Sequence, residues 1–170
     1  MTQSQSQIPL PVDIDTYLHT YEQLQQAIDG LTDEQLRWKA SEKQWSVTEV
    51  LAHLADHNIV VSFRIREILS GSEVRLPGFN QDAWVAGEKS NDGNASDVLD
   101  VFRILLIYNS LLFRRLTSED WSKTGVNFKG ETVTLAAIVH AFIAHVQGHL
   151  AQIDRVKQGE KISREASHSG

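Results

Sequence analysis

The chain has 170 residues, 41% of them hydrophobic and 22% charged, with a formal net charge of −6. That size and balance suit one compact domain with a single core, and without clustered Lys and Arg there is no phosphate-binding face for nucleic acid. Cysteine is absent, which excludes disulfides and any protein thiolate, so sulfur chemistry would need a thiol carried in by a small molecule.

Residues 1–11, MTQSQSQIPLP, are polar and proline-containing and read as a loose lead-in. They lack the basic start and apolar stretch of a signal peptide. No apolar run approaches the ~18 residues of a membrane span, so a cytoplasmic location is expected. From Val12 to Ile28 the residues Ile14, Tyr17, Leu18, Tyr21, Leu24 and Ile28 recur at helical spacing, and Asp29-Gly30 is a stop. Thr32 in LTDEQLRW is an N-cap for a short turn of helix. Ser46 followed by Glu49 fits a capping box with Trp45 before it, and opens a second long helix whose apolar face ends at Ser70-Gly71.

Residues 71–96 carry Gly, Pro and Asn without a sustained period and form a long connection, in which Phe79 and Trp84 anchor the loop or shape a pocket mouth. A third helix is expected from about Ser96 to Leu116, and a fourth from about Thr132 to Lys157, stopped by Gly159. The expected fold is all-α: an antiparallel four-helix bundle over residues 12–158, with a long loop between the second and third helices and a disordered tail at 159–170. A short internal echo pairs LTDEQLRW with LTSEDWSK and SVTEVLAH with TVTLAAIVH, suggesting two related helix pairs.

On a helical wheel of the fourth helix, His145 and His149 fall inside the apolar arc of Leu135, Ile138, Val139, Phe142, Val146 and Ile153, while His140 falls opposite. Buried imidazoles need partners, since an unsatisfied buried polar group costs roughly 1–3 kcal/mol. Separate hydrogen bonds are one answer. One shared metal ion is another, and imidazoles four residues apart on a helix suit it. A third ligand would come from the second helix, where the wheel leaves His53 and His57 both open and leans slightly to His57. Asp56 points away, His19 lies outside the apolar set of the first helix, and His168 sits in the tail. Gln152, one turn beyond His149, can hold a ligand histidine or a water. Asn58 either lines the cleft or bonds a loop backbone.

The segments WSVTEVLAHLADHN, FNQDAW and HVQGHLAQI, in this order and at these spacings, resemble the DinB/YfiT-like family of metal-dependent proteins over residues 12–158. The resemblance implies a four-helix bundle that binds a divalent ion, zinc or nickel, through His53, His145 and His149. It leaves His57 as a fourth ligand, an acid/base group or a polar lining residue. It further implies a small-molecule reaction that activates a low-molecular-weight thiol cosubstrate or water, S-transferase-like or hydrolytic. The alternative is a non-catalytic metal- or ligand-binding stress-response protein. A homodimer is expected from the resemblance alone, because no interface stripe is apparent in the sequence.

Overall fold

The structure is a computed structural model that describes residues 10–169. Most of the expected lead-in, residues 1–9, lies outside the described residues. Helix α1 (Ile14–Ile28) starts two residues later than the apolar pattern, because Asp13 caps it by accepting from the Asp15 and Thr16 amides. A short α2 (Asp33–Arg37) has the Thr32 cap, closed as a box with Gln35. Helix α3 (Val47–Leu69) opens with the reciprocal Ser46–Glu49 box. Lys39 Nζ sits 2.8 Å from Glu49 and holds the same end.

The long connection is more ordered than expected. It contains α4 (Gln81–Gly87), capped by Asn80, and a single 3-10 turn at Ser90–Asp92. Helix α5 (Ala95–Phe113) follows from the Asn94 cap, and α6 (Ser118–Trp121) from a Thr117–Asp120 box. The fourth long helix, α7 (Leu135–His168), begins at the Thr134 cap. The echo in the sequence therefore corresponds to a long-short-long arrangement formed twice, α1–α2–α3 and α5–α6–α7.

Two features depart from the expectations. Residues 124–134 form an antiparallel hairpin, β1 (Thr124–Val126) on β2 (Thr132–Thr134), with Gly125 opposite Val133. Strands of three residues are too short for an alternating pattern to be visible. The hairpin lies so close to α3 that a Cβ on Gly125 would come 2.9 Å from Ile68 Cγ1. The other departure is Gly159, which does not end α7. It has no positive φ and lies against the Trp38 indole, 3.2 Å from the place a Cβ would occupy. The helix-favouring run that follows carries α7 on to His168 as an exposed rod, where a loose tail was expected.

The fold is the expected all-α four-helix bundle. Its side-by-side pairs are α1 with α5, α3 with α7, α3 with α5 and α1 with α7, so α1 stands diagonal to α3 and α5 diagonal to α7. Tyr17, Phe102, Phe113, Trp121 and Phe142 are fully buried at its centre, in edge, tilted and stacked ring contacts. One polar network crosses this core. Asn109, 0% exposed, donates from Nδ2 to Tyr17 Oη and Ser62 Oγ, and its Oδ1 accepts from Arg66 Nη1 at 2.9 Å. No helix among the described residues is long and apolar enough to cross a membrane.

Because Asn109 joins three helices, its removal leaves several buried groups unpaired at once. Asn109→Ala should lower the unfolding free energy by about 2–3 kcal/mol, measured by urea denaturation, with metal content unchanged.

Candidate metal centre

His53 lies in the first third of α3, two turns beyond the Ser46 cap, and is 1% exposed. His145 and His149 stand one turn apart on α7 and are half-buried. Since α3 and α7 pack side by side, the three rings meet. His145 Nε2 is 3.3 Å from His53 Nε2 and 3.0 Å from His149 Nε2. One nitrogen from each ring lies within 4.8 Å of the others.

Hydrogen bonds among the three rings cannot satisfy this arrangement. His149 Nδ1 donates to Gln152 Oε1 at 2.7 Å, so in the neutral ring Nε2 carries a lone pair and no proton. His145 Nε2 faces two neighbours, yet an imidazole nitrogen has either one proton or one lone pair to offer. Nδ1 of His53 and of His145 is buried with no partner, so the polar bonding of both rings is directed at the shared centre. A divalent cation would accept all three lone pairs. At a metal–nitrogen distance of about 2.0–2.1 Å and a tetrahedral angle, ligand nitrogens stand about 3.3–3.4 Å apart. The two separations from His145 Nε2 fit that spacing to within a few tenths of an ångström.

Burial is the first cause of every pKa shift here. It pushes His53 down to about 3, helped by His149 and His145. His145 is pushed down to about 4, with His149 adding to the effect. His149 is lowered too, opposed by the Gln152 bond. Neutral rings are the metal-binding form. Stacked rings shield the centre: Trp45 lies 5.0 Å from His53 and nearly parallel to His149, and Phe79 stacks on His53 at 6.0 Å. Trp84 backs Phe79 at 4.8 Å. The two loop aromatics therefore anchor the loop on a histidine ring.

His57, towards which the wheel leaned, contributes no nitrogen to the cluster. One turn beyond His53, it lies over His145 with centroids 3.8 Å apart and against Phe142, with Nδ1 buried and unpartnered. Wheel angle reports the direction of Cβ and misses this stacking. Gln152 takes the place expected of a residue that orients a ligand histidine. Asn58 is fully buried within α3 and accepts from Ser62. Asp56 faces away from the centre, and burial followed by the neighbouring Glu88 raises its carboxyl to about 7. His140, His19 and His168 are exposed and bond to Pro11, Glu22 and Arg164 respectively.

Two cavities reach the cluster from different sides. One, about 630 Å³, touches His149 and Gln152 and is bounded by Trp38, Lys43, Trp45 and Arg155. The other, about 610 Å³, touches His145 and His57. A site with three protein nitrogens and access from both sides has the make-up of a reactive centre, whereas structural zinc sites are usually closed by a fourth protein ligand.

The family model of the DinB superfamily matches residues 16–153. Two proteins that bear the name "putative metal-dependent hydrolase" are similar in sequence. One, from Oceanobacillus iheyensis, is 25% identical over 140 residues, 82% of this chain and 79% of the relative. YfiT from Bacillus subtilis strain 168 is 26% identical over 137 residues, 79% of this chain and 76% of the relative. Among solved structures, that of YfiT, described as an unusual four-helix bundle topology, has a TM-score of 0.80 at 22% identity and 92% coverage of both chains. A mycothiol-dependent maleylpyruvate isomerase shares the fold at a TM-score of 0.66 and 12% identity, over 86% of this chain and 63% of the isomerase.

The lowered histidines set a pH dependence for the metal-free protein. Their folded-state values lie below the ordinary 6.5, so between about pH 4 and 6.5 the unfolded chain binds more protons than the folded one. Their contribution is complete above pH 6.5 and is lost as pH falls towards 4. Chelator-treated protein should therefore show a melting temperature that declines across this window. His57→Phe should decline less steeply, since burial and the neighbouring His145 and His53 push that ring down too.

Proposed function

The chain belongs to the DinB superfamily, and on that footing we propose that His53, His145 and His149 hold a divalent metal ion, zinc or nickel, serving a reaction between a small thiol and an electrophilic substrate. The observation that carries this reading is the gathering of one nitrogen from each of three imidazoles within 4.8 Å, at a cluster that two separate cavities reach. A divalent ion held by these three neutral rings would keep its full charge and would favour the deprotonated form of a water or thiol near neutral pH.

The chain's own residues do the rest. Gln152 fixes the tautomer of His149 and so aims its lone pair inward. Trp45 and Phe79 lie flat against ligand rings and keep bulk water from them. His57 is held neutral by burial and by the neighbouring His145 and His53. It is therefore a hydrogen-bonding group for a substrate, not a store for a proton at neutral pH.

Two cavities of similar size favour a two-component reaction over simple hydrolysis, which needs one organic site and water. With no cysteine in the chain, the attacking sulfur arrives from outside. In the transfer, the thiol releases its proton to solvent water, its sulfur forms a bond to the electrophilic carbon, and the leaving group departs with the electron pair of the bond that breaks and takes up a proton from solvent. The name of the isomerase with the same fold records a thiol cosubstrate, and the names of the sequence relatives record metal-dependent hydrolysis. Water in the place of the thiol gives that second reaction from the same site.

Elemental analysis of protein purified without chelators should find one metal ion per chain. His53→Ala, His145→Ala and His149→Ala should each lose it, and His57→Ala should keep it. Gln152→Leu should bind the ion about 10–100-fold more weakly. Metal retained in all three ligand variants would end this reading.

A further inference from the structure

The cavity beside His57 and His145 holds a charge that the chain does not balance. Its walls are mostly apolar, from Val61, Ile138, Phe142 and the hairpin residue Phe128, and Arg64 lies among them. Arg64 is half-buried two turns beyond His57 on α3. Its Nε and Nη2 both donate to Pro77 O, at 3.0 and 2.8 Å, which fixes the guanidinium plane and leaves Nη1 free. Among the described residues, no carboxylate pairs with it. A guanidinium stays charged under these conditions, and an uncompensated, partly buried charge is costly. Lys129, its amino group 5.7 Å over the Phe128 ring, adds a second cation to the lining. The cavity on the His149 side differs, since Asp82 accompanies Lys43 and Arg155 there.

We propose that this cavity takes the electrophilic substrate, an apolar molecule bearing a carboxylate, with the carboxylate on Arg64 and the reacting carbon turned towards His57 and His145. Seven residues of helix separate Arg64 from His57, roughly 10 Å, which calls for a body of about six to eight carbons. This assignment rests on the metal-centre reading for the reaction, while the binding of the carboxylate rests on Arg64 alone.

Calorimetric titration of the zinc-loaded protein with octanoate and with octanamide separates the two. Octanoate should bind about 10–100-fold more tightly than the amide, the worth of one charge-assisted hydrogen-bonded contact. Arg64→Gln should abolish that preference with metal content unchanged, Arg64→Lys should restore part of it, and Ala141→Trp should block both ligands by filling the cavity. The preference should persist in chelator-treated protein. Equal affinities for the two ligands overturn the proposal. So does a preference that survives Arg64→Gln and vanishes with the metal, an outcome that leaves the metal centre itself standing.

Discussion

The molecule is organised around three imidazoles brought into one small space with only one lone pair or proton each to share. Most buried polar groups in a helical bundle find a partner on a neighbouring backbone or side chain. Here the chain provides a partner for only one of the inward-facing rings, through Gln152 and the Nδ1 of His149. The other two Nδ1 atoms have none. The bundle is thus built to hold a cluster that is incomplete without a cation, and aromatic stacking positions the rings where hydrogen bonds do not. Preorganisation of this kind costs stability in the metal-free protein and is recovered when an ion binds only the folded form.

The frame that maintains the cluster is rigid where rigidity matters. A reciprocal box and the Lys39–Glu49 ion pair fix the start of α3, so His53 cannot drift along its axis. On the facing helix, Gly159 lets Trp38 pack against α7 without interrupting it. The same indole then lines the cavity next to His149. The hairpin plays the matching role on the other side: Gly125 allows it to lie on Ile68, and its tip residues close the second cavity. Two close backbone approaches, each needing glycine, determine the shapes of the two cavities.

Features that depend on local chemistry were legible in the sequence. The Ser46 and Thr32 caps, the four long apolar patterns and the inward direction of His145 and His149 all follow from spacing along one helix. Other features depend on two segments meeting, and no single-helix pattern carries that information. His53 and His57 share a flank of α3, and only the position of α7 decides that one ring turns its Nε2 to His145 while the other stacks on that ring. Gly159 looks like a stop signal until Trp38 is seen beside it. On α5 the exposed Val101, Ile104 and Leu111 are not told apart in the sequence from the buried Leu99, Phe102 and Leu106, because only the neighbouring helices decide which apolar face is covered.

The arrangement of helices also bears on how one cluster is reached by two cavities. In a bundle whose consecutive helices are neighbours, short connections close both ends of the core. Here α1 stands diagonal to α3 and α5 to α7, so the chain must cross the bundle twice, and the segments that cross carry α2, α6 and the hairpin. Those crossings supply Trp38 and Phe128, and the connection between the neighbours α3 and α5 supplies Phe79, so the histidines are walled from different sides. The walls lie mainly on connections and the ligands on rods. The cavities can thus change shape by substitution in loops while the imidazole geometry, set by helix packing, stays as it is. That division lets one fold keep its metal centre and alter what is brought to it.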